Sequence, residues 1–274
     1  RRPPRSTLSS SSAASDVYKR QAQKSATEGF LVQMVDREPE WVERGQGIVS
    51  SFLDEAEKRR IFNPKQVEEI KSRISGIVGT ENVDPNTDLV IEAVFEDFDV
   101  KKSVFETLNR VCGDSTILAS NTSSLSVNKL AKVTGRPDRF VGLHFFYHPA
   151  KNRLVEIIPA SMTSEESVKL VEQYCKSMGK VVIVCKDRPG FVVNRFFVPW
   201  LNEACLLLEE GVGTAAQIDA VSRKSFGSDD VSTISANSLI HLYFFPSCKF
   251  KLFLYCQCAA IPSSAISSIS FVLI

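Results

Sequence analysis

Residues 87–125, TDLVIEAVFEDFDVKKSVFETLNRVCGDSTILASNTSSL, decide the fold. Leu89–Val94 is an apolar run of strand length, preceded by the turn-forming DPNTD of residues 84–88. Val100–Val111 carries its apolar residues at helical spacing, and Thr116–Ser120 is a second short apolar run that ends in the polar SNTSS. A buried strand, a helix of ten or more residues and another buried strand make a βαβ unit, which predicts a parallel sheet with helices on its faces.

The same alternation extends outward in both directions. Phe30–Val35 reads as a strand ending on Asp36, and Pro39 suits the first turn of the helix that runs towards Arg60. A further helix after Pro64, a strand at Ile74–Val78, a helix at Ser126–Val133 and a strand at Phe140–His144 follow. Leu154–Ile158, a helix over Ser164–Met178 and Val181–Val184 complete the series. The expected class is therefore α/β, a Rossmann-like doubly wound parallel sheet. After Asp187-Arg188-Pro189-Gly190 the alternation gives way to one long apolar-periodic helix, Phe191 to Glu210, so an all-α domain begins near residue 188.

Both ends depart from this pattern. Residues 1–21 are rich in Arg and Ser, a bias shared by organelle transit peptides and by disordered or foreign leaders; the second reading is adopted, and the stretch is set outside the fold. In residues 227–274, Phe, Leu and Ser runs lack a clean period, and Pro246, Lys249 and Lys251 break every window long enough for a membrane span. That stretch is read as a tail of foreign origin.

Composition bounds the function. Lys plus Arg (33) and Asp plus Glu (32) nearly cancel, which suggests neither nucleic-acid nor membrane-surface binding. Seven cysteines without framework spacing point to reduced thiols in an intracellular compartment. Three histidines and no CxxC argue against a metal site.

Ligands of doubly wound sheets bind at the carboxyl ends of the strands. Asp36 ends a strand where such a fold places the acceptor for an adenine ribose, or it opens a helix as a solvated carboxylate. Val94-Phe95-Glu96 with Lys101 can face a dinucleotide, or form an ordinary helix start with a solvated lysine. The hydroxyls of Ser120–Ser124 can cap a helix or meet a substrate oxygen. His144 ends FVGLH, and Glu156 lies between Leu154, Val155, Ile157 and Ile158, where an ionised group is costly to bury unless paired. A glutamate bonded to an imidazole would fix its tautomer and make His144 a general base; an exposed His and an outward Glu on an edge strand are the plainer alternative. Asn194, after the Pro-Gly, can reach a cleft as a hydrogen-bonding amide or sit at a helix start.

Taken in order, TDLVIEAVFED, ILASNTSSL, RFVGLHFF, LVEII and CKDRPGFVVNR resemble the 3-hydroxyacyl-CoA dehydrogenase family over residues 22–226. The resemblance implies a partial NAD-binding Rossmann domain at 22–187, the start of a helical domain at 188–226, and a non-family tail at 227–274. It implies NAD as cofactor, oxidation of L-3-hydroxyacyl-CoA to 3-ketoacyl-CoA in fatty-acid β-oxidation, and a parent that is a homodimer through the helical domain. By residue, it implies His144 as catalytic base, Glu156 as its partner, and Ser123 and Asn194 in catalysis and substrate binding. It assigns NAD contacts to Asp36, Val94, Phe95, Glu96, Lys101 and Ser123, and coenzyme A contacts to Ser51 and Lys58. Tyr147, a cofactor position, stands where the family usually has Asn. Residues 1–21 contain no glycine, so the glycine-rich phosphate loop and first strand are expected to be missing, and the chain to bind NAD weakly and be largely inactive. Alternatives are a non-catalytic NAD- or CoA-binding relative, a crystallin-like relative, or an inactive fragment of a multifunctional fatty-acid oxidation protein.

Overall fold

A computed structural model describes residues 11–146, 153–226 and 270–273. The chain divides into a unit of Arg1–Phe191 with Tyr255–Ile274 and a unit of Val192–Leu254. The first unit contains α1 (Ser11–Thr27), β1 (Leu31–Asp36), α2 (Pro39–Lys58), α3 (Pro64–Ser72), β2 (Ile74–Val78), β3 (Leu89–Glu92), α4 (Phe98–Val111), β4 (Ile117–Ser120), α5 (Val127–Ala131), β5 (Phe140–Phe145), β6 (Leu154–Pro159), α6 (Glu165–Ser177), β7 (Val181–Val184) and β8 (Ser270–Leu273). The second holds α7 (Val193–Glu209) and α8 (Ala215–Phe226).

The strands form one eight-stranded sheet in the order β2-β1-β8-β3-β4-β5-β6-β7. All paired strands are parallel except β5 and β6. The expected doubly wound, parallel-dominated sheet is therefore present, with one antiparallel pair among the described strands. Parallel strands need a crossover of a dozen or more residues, and the stretch between Phe145 and Leu154 is too short for one. The chain therefore turns back on itself, and His144 falls directly opposite Glu156 in the ladder.

Local chemistry sets the helix ends. Asn63 opens α3 with a capping box shared with Gln66, and Pro64 follows at the first helical position. Asp97 accepts from Asp99 N and Val100 N at the start of α4, and Ser164 from Ser167 N at the start of α6. The core of the first unit lies between the helices and the sheet, where Val90, Phe105, Leu108, Leu118, Leu130, Phe140 and Ile158 cluster. Phe105 meets Phe140 edge-on at a ring separation of 5.1 Å. Each such buried ring contributes about 1.5–3 kcal/mol of hydrophobic stabilisation.

Two findings differ from the sequence reading at the ends. The stretch assigned to a disordered or foreign leader is helical from Ser11, and Lys19 and Gln21 are buried with Ala22 and Ala26. The sheet position between β1 and β3, where the first strand was expected to be missing, is filled by β8. This strand comes from the segment read as a tail outside the fold. Among the described residues no helix is long and apolar enough to cross a membrane.

Candidate active site

The chain winds from β1 outward to β2, then crosses to β3 and on towards β7, so the sheet's switch point lies between β1 and β3. The carboxyl ends of β1, β3, β4 and β5 carry Asp36, Glu92, Ser120 and Phe145. Directly paired residues of an antiparallel ladder project to the same face. For His144 and Glu156 this brings His144 Nδ1 to 2.6 Å from Glu156 Oε2, with both side chains buried. The buried reading of the pair, rather than an exposed His and an outward Glu, is the one the structure has. A carboxylate on Nδ1 favours the tautomer with the proton there and leaves Nε2 as the proton acceptor. His144 Nε2 lies 3.2 Å from Ser123 Oγ. Phe146 and Phe191 flank the imidazole, with ring centroids at 4.7 Å and 5.4 Å, and wall it from water. Phe191 adopts a left-handed φ of 44°, unusual for a bulky side chain and a sign that its ring is held there by its surroundings.

The cap of the following helix falls just beyond the SNTSS turn: Ser126 caps α5, accepting from Lys129 N, while Ser123 within the turn meets the imidazole. Asn121 Oδ1 accepts from Phe145 N at 2.9 Å, tying the turn to the strand that carries His144. Glu96 clamps the same turn. Its Oε1 accepts from Thr122 Oγ1 (2.6 Å), Ser123 N (2.8 Å), Ser124 N (2.8 Å) and Ser124 Oγ (3.0 Å). Burial alone would raise the Glu96 carboxyl, but the Lys101 ammonium and these donors outweigh it and hold the group below its ordinary range.

Lys101 is not the solvated lysine that composition favours; it is 1% exposed. Its ammonium donates to Glu92 Oε1 (2.6 Å) and Val94 O (3.2 Å) and pairs with Glu96 Oε2 (3.4 Å). Phe95, next to Glu96, is 62% exposed at this edge. Asp36 is half-buried, with Oδ1 accepting from Arg37 N. An acceptor at the end of β1, an open aromatic face after β3 and backbone at the strand ends fit a dinucleotide laid across the switch point.

The other assigned residues stand on α2 and α7 or fall outside the described residues. Ser51 and Lys58 are on the exposed side of α2, where Ser51 Oγ donates to Gly47 O. Asn194 stands in the first turn of α7, in the second unit. Tyr147 lies outside the described residues. Sequence reasoning missed Glu92 and Asp187. Asp187 Oδ2 accepts from Ser126 Oγ, Asn128 N and Asn128 Nδ2, pinning the start of α5. Burial opposes ionisation of Asp187, and these donors reverse it, so its carboxyl too is held low.

Residues 19–188 match the NAD binding domain of 3-hydroxyacyl-CoA dehydrogenase, and residues 190–243 match the C-terminal domain of the same enzyme. The second match extends past residue 226, the boundary drawn from sequence, into the stretch read as a non-family tail. The chain is 38% identical over 211 residues to the mitochondrial hydroxyacyl-coenzyme A dehydrogenase of Rattus norvegicus, covering 75% of this chain and 67% of the rat protein. It is 39% identical over 205 residues to a probable 3-hydroxybutyryl-CoA dehydrogenase of Bacillus subtilis, covering 74% and 70% of the two chains. Among solved structures, (S)-3-hydroxybutyryl-CoA dehydrogenase from Ralstonia eutropha superposes with a TM-score of 0.76 at 34% identity, covering 84% of this chain and 83% of that one.

Proposed function

The chain belongs to the 3-hydroxyacyl-CoA dehydrogenase family, and from that membership we propose that it oxidises L-3-hydroxyacyl-CoA to 3-ketoacyl-CoA with NAD, as in fatty-acid β-oxidation. The observation that carries this reading is the buried His144–Glu156 pair with Ser123, half-buried, on the other ring nitrogen. His144 Nε2 takes the proton of the substrate hydroxyl, which Ser123 Oγ aligns. Glu156 fixes the ring and stabilises the imidazolium that forms; it orients the base without binding acyl-CoA. NAD supplies the acceptor for the hydride that leaves the same carbon. Asp36 accepts from the ribose hydroxyls and repels a 2′-phosphate, which favours NAD over NADP. Val94, Phe95 and Glu96 shape the cofactor's seat. Asn194 is assigned a hydrogen bond to the substrate, and Ser51 and Lys58 hold the coenzyme A moiety. Lys58 opens a Lys-Arg-Arg run, the local basic cluster that a 3′-phosphate wants. The remaining parts of the reading are a homodimer through the helical domain and an intracellular location.

The test is NAD reduction by the purified chain with 3-hydroxyacyl-CoA substrates, beside His144→Gln. Loss of a general base typically costs 10²–10⁴-fold in turnover. Near-full activity in the variant would remove His144 from the chemistry. No turnover in the folded chain itself would favour a non-catalytic relative.

A further inference from the structure

We propose that Glu92, a buried carboxylate at the end of β3, is a positioning residue that acts through Lys101 and Glu96 to hold Ser123 against His144. The proposal rests on the roles just given to Ser123 and His144.

Glu92 is fully buried, and among the described residues its carboxylate bonds to elements that bear on the site. Oε1 accepts from Lys101 Nζ and Val94 N, each at 2.6 Å, and Oε2 accepts from Ser120 Oγ at 2.6 Å. Its backbone oxygen accepts from Asn121 N at 2.8 Å. One residue therefore ties the loop after β3, helix α4 and the end of β4, where the Ser123 turn begins. Lys101 passes the connection on, because the ammonium that Glu92 holds also faces Glu96 Oε2, and the other Glu96 oxygen grips Thr122, Ser123 and Ser124. Ser123 Oγ then meets His144 Nε2, and His144 Nδ1 meets Glu156. The network is continuous from Glu92 to Glu156.

Stability alone does not account for it. A buried ion pair recovers little more than its desolvation cost, and an apolar pair of similar volume is often as stable. What charges offer here is direction: short charge-assisted bonds fix angles as well as distances. A turn whose backbone N–H groups are held on one carboxylate oxygen has little freedom to swing its serine, and errors of about 1 Å at a reacting group cost on the order of a hundredfold in rate.

The experiment is a double-mutant cycle on the full chain with Glu92→Gln, Ser123→Ala and the double variant. Glu92→Gln is expected to lower kcat roughly tenfold to a hundredfold, with little change in KM for acyl-CoA. The double variant should be no slower than Ser123→Ala by more than about twofold, since both changes break the same connection. Fully multiplying losses would show that Glu92 acts independently of Ser123 and overturn the proposal, as would an unchanged kcat in Glu92→Gln while Ser123→Ala is impaired. If Ser123→Ala alone turns over normally, the proposed function loses its serine, and the imidazole readout below decides for Glu92. That readout needs no turnover: the His144 ring ¹⁵N shifts should move the same way in both single variants and no further in the double. Should Glu92→Gln not fold, Ser120→Ala removes one of the Glu92 donors without a change of charge and enters the same cycle.

Discussion

Single carboxylates do unlike jobs in this site, and their surroundings decide which. Glu96 keeps its charge although half-buried, because Lys101 and the donors of residues 122–124 prefer the ionised form. Its folded pKa lies below the ordinary 4.5, so its contribution to stability is fully present above that value and is lost as pH falls through the depressed one. Glu96→Gln should therefore unfold at lower urea near neutral pH, and the gap to the unsubstituted chain should close on acidification. A gap that stays constant through the acid range would mean that the Glu96 charge does not stabilise the fold. The same physics explains what sequence disclosed at this scale. Glu156 stood out because an ionised group amid Leu, Val and Ile demands a partner, and His144 supplies one. Glu92 sits in LVIEAVF under an equal demand, and the argument used for Glu156 would have found it. The burial of Lys101 was not legible, because its cause is the packing of α4 on the sheet rather than any local pattern.

At the scale of elements, the strands and helices were readable wherever period and caps agreed. The helix expected over Ser164–Met178 has those two residues as its caps, and Asp36, Ser120 and Phe145 close strands close to where the apolar runs stop. The hairpin of β5 and β6 was not foreseen, because direction is set by connection length and an apolar run carries none. This hairpin depends on a close approach that one glycine permits. A Cβ on Gly142 would stand 2.7 Å from Val127 Cγ2 and 3.1 Å from Ile158 Cβ, both on buried, β-branched side chains that have little room to retreat. Gly142→Val should thus push α5 off β5. Overpacking of this kind costs typically about 1–3 kcal/mol, and since His144 lies two residues along the strand, turnover should fall with stability. Urea unfolding alongside NAD reduction would show both losses, and a variant unchanged in either would mean that the sheet relaxes around the added methyl groups.

For the whole molecule, the question is how a doubly wound sheet closes at its switch point. β1 and β3 are buried strands with Val32, Met34, Val90 and Ile91 in the core, so a gap between them would leave two facing rows of backbone N–H and C=O groups without partners. The need for a strand there was visible from sequence, as a Rossmann pattern without its first member. The segment that meets the need was not visible, because SFVL is too short an apolar run for periodicity to place, and it lies in a stretch whose composition differs from the rest of the chain. β8 pairs in parallel with β1 from Leu31 to Met34 and with β3 from Leu89 to Ile91, which makes it an interior strand of the sheet. Proline in an interior strand deletes a ladder donor and is essentially confined to edges. Val272→Pro is accordingly expected to lower unfolding stability by more than about 2 kcal/mol, as breaking a buried hydrogen-bonded network does. It should also promote self-association, since the bared edges of β1 and β3 are templates for another chain. Urea unfolding and sedimentation velocity together test this. An unchanged urea midpoint with unchanged sedimentation would show that the sheet holds without β8, and that the two halves on either side of the switch point are independently stable.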